Sequence, residues 1–242
     1  MGNINEKMEK FRRAAFEPVT EDRDGGLTAS KFSGKPWLGE GENWPVCGIC
    51  GKEMQLFVQL NLDQLPQELN NQFGSGLLQM FYCTNGEQEC EVEAEAFYPF
   101  AKSTLLRVVN PAAGKAAANI KIPSPAVIPD YFPAKVITGW LQKEDYPNPE
   151  ETQSLGLELA EDEWNELADS DFPLGGDKLA GWPSWVQGIE YPDCPVCKES
   201  MRLVFQVDSE DNLPYTFGDS GCGHITQCKN HPEVVAFGWA CY

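Results

Sequence analysis

"NWPVCGICGKEM", residues 43–54, returns in altered form at residues 190–201 as "EYPDCPVCKESM". Each stretch places two cysteines in a CxxC pair, behind a proline and ahead of a methionine. A shift of 147 residues lays 31–60 on 178–207 without a gap, and ten of those thirty positions are identical. The identities run Lys31/Lys178, Gly34/Gly181, Pro36/Pro183, Gly41/Gly188, Pro45/Pro192, Cys47/Cys194, Cys50/Cys197, Met54/Met201, Leu56/Leu203 and Gln59/Gln206. Further on, "FGSGLLQMFYC" (73–83) answers "FGDSGCGHITQC" (217–228), with Gly76 and Cys83 spaced as Gly221 and Cys228 are. The pattern predicts an internal duplication, two copies of one module.

Each copy reads as mainly β. After each CxxC comes an apolar run, "MQLFVQLNL" or "MRLVFQVDS", then a turn-rich stretch and a second strand that ends in cysteine. A third strand is expected in "CEVEAEAFY" of the first copy and "PEVVAFGWACY" of the second. The expected fold class is α+β and β-rich, an antiparallel-sheet module used twice, each copy carrying a CxxC zinc knuckle. The expected divisions are an N-terminal helix and linker (1–28), repeat 1 (29–110), a Pro-rich connection with an acidic helix (111–175), and repeat 2 (176–242). The acidic helix is expected over 157–169, with Leu157, Ala160, Trp164, Leu167 and Ala168 on one face. Ile4, Met8, Phe11 and Ala15 recur at helical spacing, a stripe suited to docking on the body.

A CxxC alone is ambiguous. Thioredoxin-like pairs sit at a helix N-terminus after a parallel strand, whereas here Pro45 and Pro192 precede the pairs and β-like runs follow. That context suits a zinc knuckle. Cys83 and Cys90 are expected to end one strand and begin the next around "TNGEQE" (84–89), and Cys228 and His231 bracket a short turn. Zinc takes closed Cys₄ and Cys₃His tetrahedra. The expected ligands are therefore Cys47, Cys50, Cys83 and Cys90 for one zinc ion, and Cys194, Cys197, Cys228 and His231 for a second. Cys241 is the rival to His231, although the strand that carries it should fold back toward 218–222, beside Cys222. His224 aligns with Gln79 and is expected on a sheet face. Gln59 and Gln206 are expected to be buried amides that tie down loop backbone. Trp37, Trp182, Trp185 and Trp239 are expected to pack under the repeats rather than line a groove.

Charge narrows the function. The 242 residues carry 37 Asp and Glu against 18 Lys and Arg, a net charge of −19. Binding to a phosphate backbone rests on basic side chains, so nucleic acid is disfavoured as a partner and a basic protein is favoured. The acids gather over 144–171, where a helix is expected to present Glu161, Asp162, Glu163 and Glu166 to solvent. No run reaches the roughly 18 apolar residues that span a bilayer. The N-terminus has no apolar secretory block, and Glu6 spoils the myristoylation signal behind Gly2. A cytoplasmic protein without membrane contact is expected. Nine cysteines, an odd number, argue for metal rather than a full disulfide framework.

"KFSGKPWL", "GWLQKEDYP", "KLAGWPSW" and "QCKNHPEVVAFGW" in combination resemble the YwqG-like family of bacterial proteins over residues 29–242. That family is itself similar to a group containing programmed cell death protein 2. The resemblance implies protein binding, as escort of a ribosomal protein in the eukaryotic relative and as toxin-immunity neighbourhoods among bacterial members. Many members lack one or more cysteines, whereas this chain keeps two full sets. The leading expectation is a zinc-stabilised protein-binding module of chaperone or immunity type, and not an enzyme. A metal-dependent enzyme is the alternative, weakened by two histidines and by the lack of GxSxG, HExxH or P-loop motifs. A zinc-ribbon nucleic-acid binder ranks below both.

Overall fold

The computed structural model describes residues 4–86, 90–123 and 131–242. Its strands are β1 (Arg13–Glu21), β2 (Lys31–Phe32), β3 (Gln55–Asn61), β4 (Leu77–Tyr82), β5 (Thr104–Val109), β6 (Lys135–Asp145), β7 (Lys178–Ala180), β8 (Arg202–Asp208), β9 (Cys222–Gln227) and β10 (Val235–Ala240). Short helix α1 (Ile4–Met8) precedes them, and α2 (Cys90–Glu93), α3 (Pro149–Ser154) and α4 (Glu161–Ala168) lie between them. The apolar runs that follow the CxxC pairs are β3 and β8. Every strand pairs antiparallel, in the order β10-β9-β8-β7-β1-β6-β2-β3-β4-β5. The outer strands β5 and β10 also approach each other, so the sheet nearly closes.

Read outward from β1 and β6, the two wings have the same register. Lys31 faces Gln59 and Gln59 faces Gln79; Lys178 faces Gln206 and Gln206 faces His224. Each wing also breaks its ladder at the same step, between Leu56 and Val58 and between Leu203 and Phe205. Curling the sheet encloses one core shared by both wings, in which Phe57, Tyr82, Tyr215, Phe217 and Phe237 make tilted and edge-on ring contacts. Strands β3, β4 and β9 are buried along their whole length, and β8 along all but its two end residues. The buried amides on these strands are therefore obliged to find partners.

They do so in matched fashion. Gln59 accepts from Trp37 N–H (3.0 Å) and donates to Leu27 O and Ala29 O (2.9 and 2.8 Å). Gln206 accepts from Ser184 N–H (2.8 Å) and donates to Gly176 O (2.8 Å). The fully buried lysines repeat the pattern. Lys31 donates to Asp24 (2.8 Å) and Lys35 O (2.9 Å), and Lys178 to Asp145 (2.9 Å) and Leu174 O. Burial lowers both lysine pKa values, and the carboxylate partner opposes that shift. Gly34 and Gly181 sit at φ 78 and 77, and a Cβ there would come within 2.6 Å of an Asp24 oxygen and 2.4 Å of an Asp145 oxygen. Glycine lets each carboxylate close on the backbone, where Lys35 N–H and Trp182 N–H donate to it at 3.0 and 2.8 Å.

Several expectations are corrected. Residues 13–21, expected within an N-terminal helix and linker, form β1 between β6 and β7. Ile4 and Met8 pack with Leu167, and Phe11 lies against them, but Ala15 belongs to β1. Residues 135–145 of the expected connection form β6. The third strand of the first wing is β5, not 90–98: Cys90 opens α2, because Glu- and Ala-rich sequence favours helix over strand. The acidic helix is shorter than 157–169, since Ala160 precedes its first turn and stays exposed. Glu163 is not free: it pairs with Lys7 and accepts from Ala160 N–H (3.0 Å). Residues 1–3, 87–89 of the "TNGEQE" loop and 124–130 of the Pro-rich connection lie outside the described residues. Among the described residues no helix is long and apolar enough to cross a membrane.

Removing one member of a buried ion pair leaves the other charged and unpaired, at a cost of about 3–5 kcal/mol. Lys178→Met should therefore lose about that much stability in urea denaturation, because Asp145 is 0% exposed. Lys31→Met should lose less than half as much, because the Asp24 side chain is 32% exposed and can rehydrate. Equal losses would show that carboxylate burial does not set the cost.

Candidate metal centres

Each CxxC pair sits on the same tight turn. Cys47 N–H donates to Lys52 O (2.8 Å) and Met54 N–H to Pro45 O (3.0 Å); Cys194 N–H donates to Glu199 O (2.9 Å) and Met201 N–H to Pro192 O (2.8 Å). The bridges Val46–Glu53 and Asp193–Ser200 close the turns, which pass through left-handed backbone at Gly51 and Lys198. Inside the first, Ile49 N–H points at Cys47 Sγ (3.4 Å). Cys83 and Cys228 directly follow β4 and β9. Cys90 arrives on the first turn of α2, and His231 on the loop between β9 and β10.

The structure gathers all eight residues into two sets. Cys47, Cys50, Cys83 and Cys90 form one, and Cys194, Cys197, Cys228 and His231 the other, each with its donor atoms within 4.8 Å of one another. The Cys50–Cys83 sulfurs are 3.7 Å apart and the Cys197–Cys228 sulfurs 3.5 Å. His231 turns Nδ1 inward, 3.8 Å from Cys194 Sγ and 3.6 Å from Cys228 Sγ. A zinc tetrahedron with Zn–S near 2.3 Å has sulfur–sulfur edges of about 3.8 Å and sulfur–nitrogen edges of about 3.5 Å. Donor type and spacing both fit such an ion. Cys241 stands apart from the second set, its Sγ against Gly218.

The thiols are electrostatically uneven. Desolvation raises Cys50, but hydrogen bonds from Asn85 and the Lys52 backbone outweigh it and bring the thiol to about 7. Cys194 falls to about 6 by the same contest, with backbone N–H groups of Cys197 and Val196 prevailing. Desolvation pushes Cys83 and Cys228 up, and Cys90 up to about 12.

His224 lies buried on β9, away from the second set. Its ring packs on Trp185 (centroids 4.5 Å), and Nε2 is 3.8 Å from Cys222 Sγ. Desolvation, with Lys178 nearby, lowers its pKa to about 3. Trp37, Trp182 and Trp239 are buried, whereas Trp185 is half-buried beside a cavity. Glu151 was not foreseen: it is 3% exposed and accepts from Trp185 Nε1 (3.1 Å) and Tyr191 OH (2.6 Å). Only its place beside Asn148-Pro149, a helix-start signal, hinted at order there.

A family model described as a domain of unknown function, DUF1963, matches residues 30–229. The protein described as "Uncharacterized protein YpfL" of Salmonella typhimurium (strain LT2) is 41% identical over 39 residues, which are 16% of this chain and 9% of that protein. The chain thus aligns with under a tenth of that relative's length.

His224 generates a pH prediction. Unfolded histidine titrates near 6.5 and the folded residue near 3. The stability it contributes is complete above pH 6.5 and is lost as pH falls toward 3, about 2 kcal/mol of it between pH 7 and pH 5. His224→Gln installs the residue found at the matching position, Gln79. Denaturant titrations at both pH values should show the wild type losing about 2 kcal/mol more than the variant. Identical losses would refute a neutral buried imidazole.

Proposed function

From the premise that the chain belongs to the DUF1963 family, matched over most of its length, we propose that it is a zinc-stabilised protein-binding module. One observation carries the reading: each set offers four thiol or imidazole donors at tetrahedral spacing. A closed Cys₄ or Cys₃His set is characteristic of structural zinc, whereas catalytic zinc keeps a position open. Cys47, Cys50, Cys83 and Cys90 would hold one ion, and Cys194, Cys197, Cys228 and His231 the other. A bound ion supplies a fixed crosslink, tying each CxxC turn to the chain that leaves β4 or β9. The matched registers of the wings support an origin by duplication, with modules near 29–110 and 176–242 and the connection 111–175 between them. Within the family we place the chain among the YwqG-like proteins, with the wider likeness to programmed cell death protein 2. A chaperone or immunity role in the cytoplasm follows from that placement. The charge of −19 supports a basic protein as partner.

Two measurements test this. Protein desalted without chelator should carry two zinc equivalents, and Cys197→Ser should lose one of them together with thermal stability, because ligation is coupled to folding. No zinc, with disulfides in its place, would overturn the metal reading. The partner that co-purifies from the source cell should be basic, and its capture should weaken when salt rises or when Glu161, Asp162 and Glu166 are neutralised together. Glu163 is left intact because it pairs with Lys7. An acidic or nucleic-acid partner would overturn the binding reading.

A further inference from the structure

One difference between the two wings falls on their outermost strands, β5 and β10. In the first, Arg107 on β5 lies opposite Gln79. Its Nε donates to Gln79 Oε1 (2.8 Å), its guanidinium stands 5.7 Å from the Phe81 ring centroid, and its Nη1 pairs with Glu42. In the second wing the residue opposite His224 is Gly238. The position matching Phe81 is Thr226, since Leu56 faces Phe81 and its counterpart Leu203 faces Thr226. An arginine and an aromatic ring in one wing are thus replaced by a hydrogen and a small hydroxyl side chain in the other.

Beside these smaller residues lies a cavity of about 500 Å³, bordered by Phe97, Tyr98, Trp185, Thr226, Gly238 and Glu190. Trp185 is held in place, its Nε1 donating to Glu151, which leaves ring surface rather than an N–H group for a ligand. Trp239 turns its ring into the shared core, where Nε1 donates to Tyr82 OH (3.0 Å), and so backs the cavity without facing it. Thr226 is 2% exposed and forms part of the cavity floor. Glu190 is the charged residue in the lining; no lysine or arginine borders the cavity, and Glu190 makes no ion pair among the described residues.

We infer that this cavity is the seat of an arginine side chain supplied by a partner protein. A guanidinium is flat, stacks on indole and phenol faces, and carries five N–H donors. Within the cavity it would find the aromatic side chains of Trp185 and Tyr98 and Glu190 as a counter-charge. The first wing fills the corresponding seat with its own Arg107, and the second leaves it for an arginine from outside. An anionic ligand meets only repulsion here. A lysine would lose the planar stacking. The inference sharpens the proposed basic partner and rests on that reading only for the source of the arginine.

The test titrates the full chain with the tripeptide Gly-Arg-Gly, acetylated and amidated, and follows the indole N–H resonances. A saturable shift should appear at Trp185, and the neutral citrulline tripeptide should bind at least about tenfold more weakly. Glu190→Gln, at an exposed position, should weaken arginine binding about three- to thirtyfold without affecting folding. Thr226→Phe, which restores the ring found at Phe81, should abolish it. No saturable shift, or equal binding of the citrulline peptide, overturns the inference. Because the tripeptide reports on the cavity alone, arginine binding beside a non-basic cellular partner would sink the wider reading and spare this one. A basic partner beside an unresponsive cavity would do the reverse.

Discussion

Four sulfur or nitrogen donors held within 4.8 Å of one another are a constraint to which the rest of the chain must answer. Thiolates at that spacing repel, so the cluster either keeps most of its protons or shares a cation. The uneven thiols express the conflict, with Cys50 and Cys194 acidified and Cys83, Cys90 and Cys228 pushed up. A divalent cation would resolve it by replacing protons with one central charge. The prolines and the left-handed residues Gly51 and Lys198 bend each turn so that its two sulfurs converge.

Between the two centres the sheet is held by polar groups that a β core ordinarily excludes. Lys31 and Lys178 are fully buried, and each spends its ammonium on one carboxylate and on nearby carbonyls. Gln59 and Gln206 sit across the ladder and tie the preceding loops to the sheet. Such networks contribute little net stability, but each broken member leaves an unsatisfied group. They fix one arrangement of loops over the sheet, and those loops carry the knuckles.

What was legible in the sequence was local. The CxxC spacing, the cysteines that close β4 and β9 and the paired glutamines are all short-range or strictly periodic signals. The antiparallel, β-rich architecture followed from them. Long-range pairings were not legible. Asp145 reaches Lys178 from the end of β6, whereas the position 147 residues beyond Asp24 is Asp171, which is not the partner. Strand β1, which includes Pro18, carries no clean alternation, and its place is set by β6. Cys90 was misread because "CEVEAEAF" alternates like a strand although its residues prefer helix. The exchange of Arg107 for Gly238 was invisible until β5 and β10 could be compared in register.

The central claim is that each donor set encloses one ion with no open position. X-ray absorption at the metal edge of the purified protein measures this directly. The account predicts a zinc edge and a four-coordinate shell averaging three and a half sulfurs and half a nitrogen per ion, with Zn–S near 2.3 Å. A shell rich in oxygen, or a coordination number that changes when small anions are added, would show an open site and contradict it.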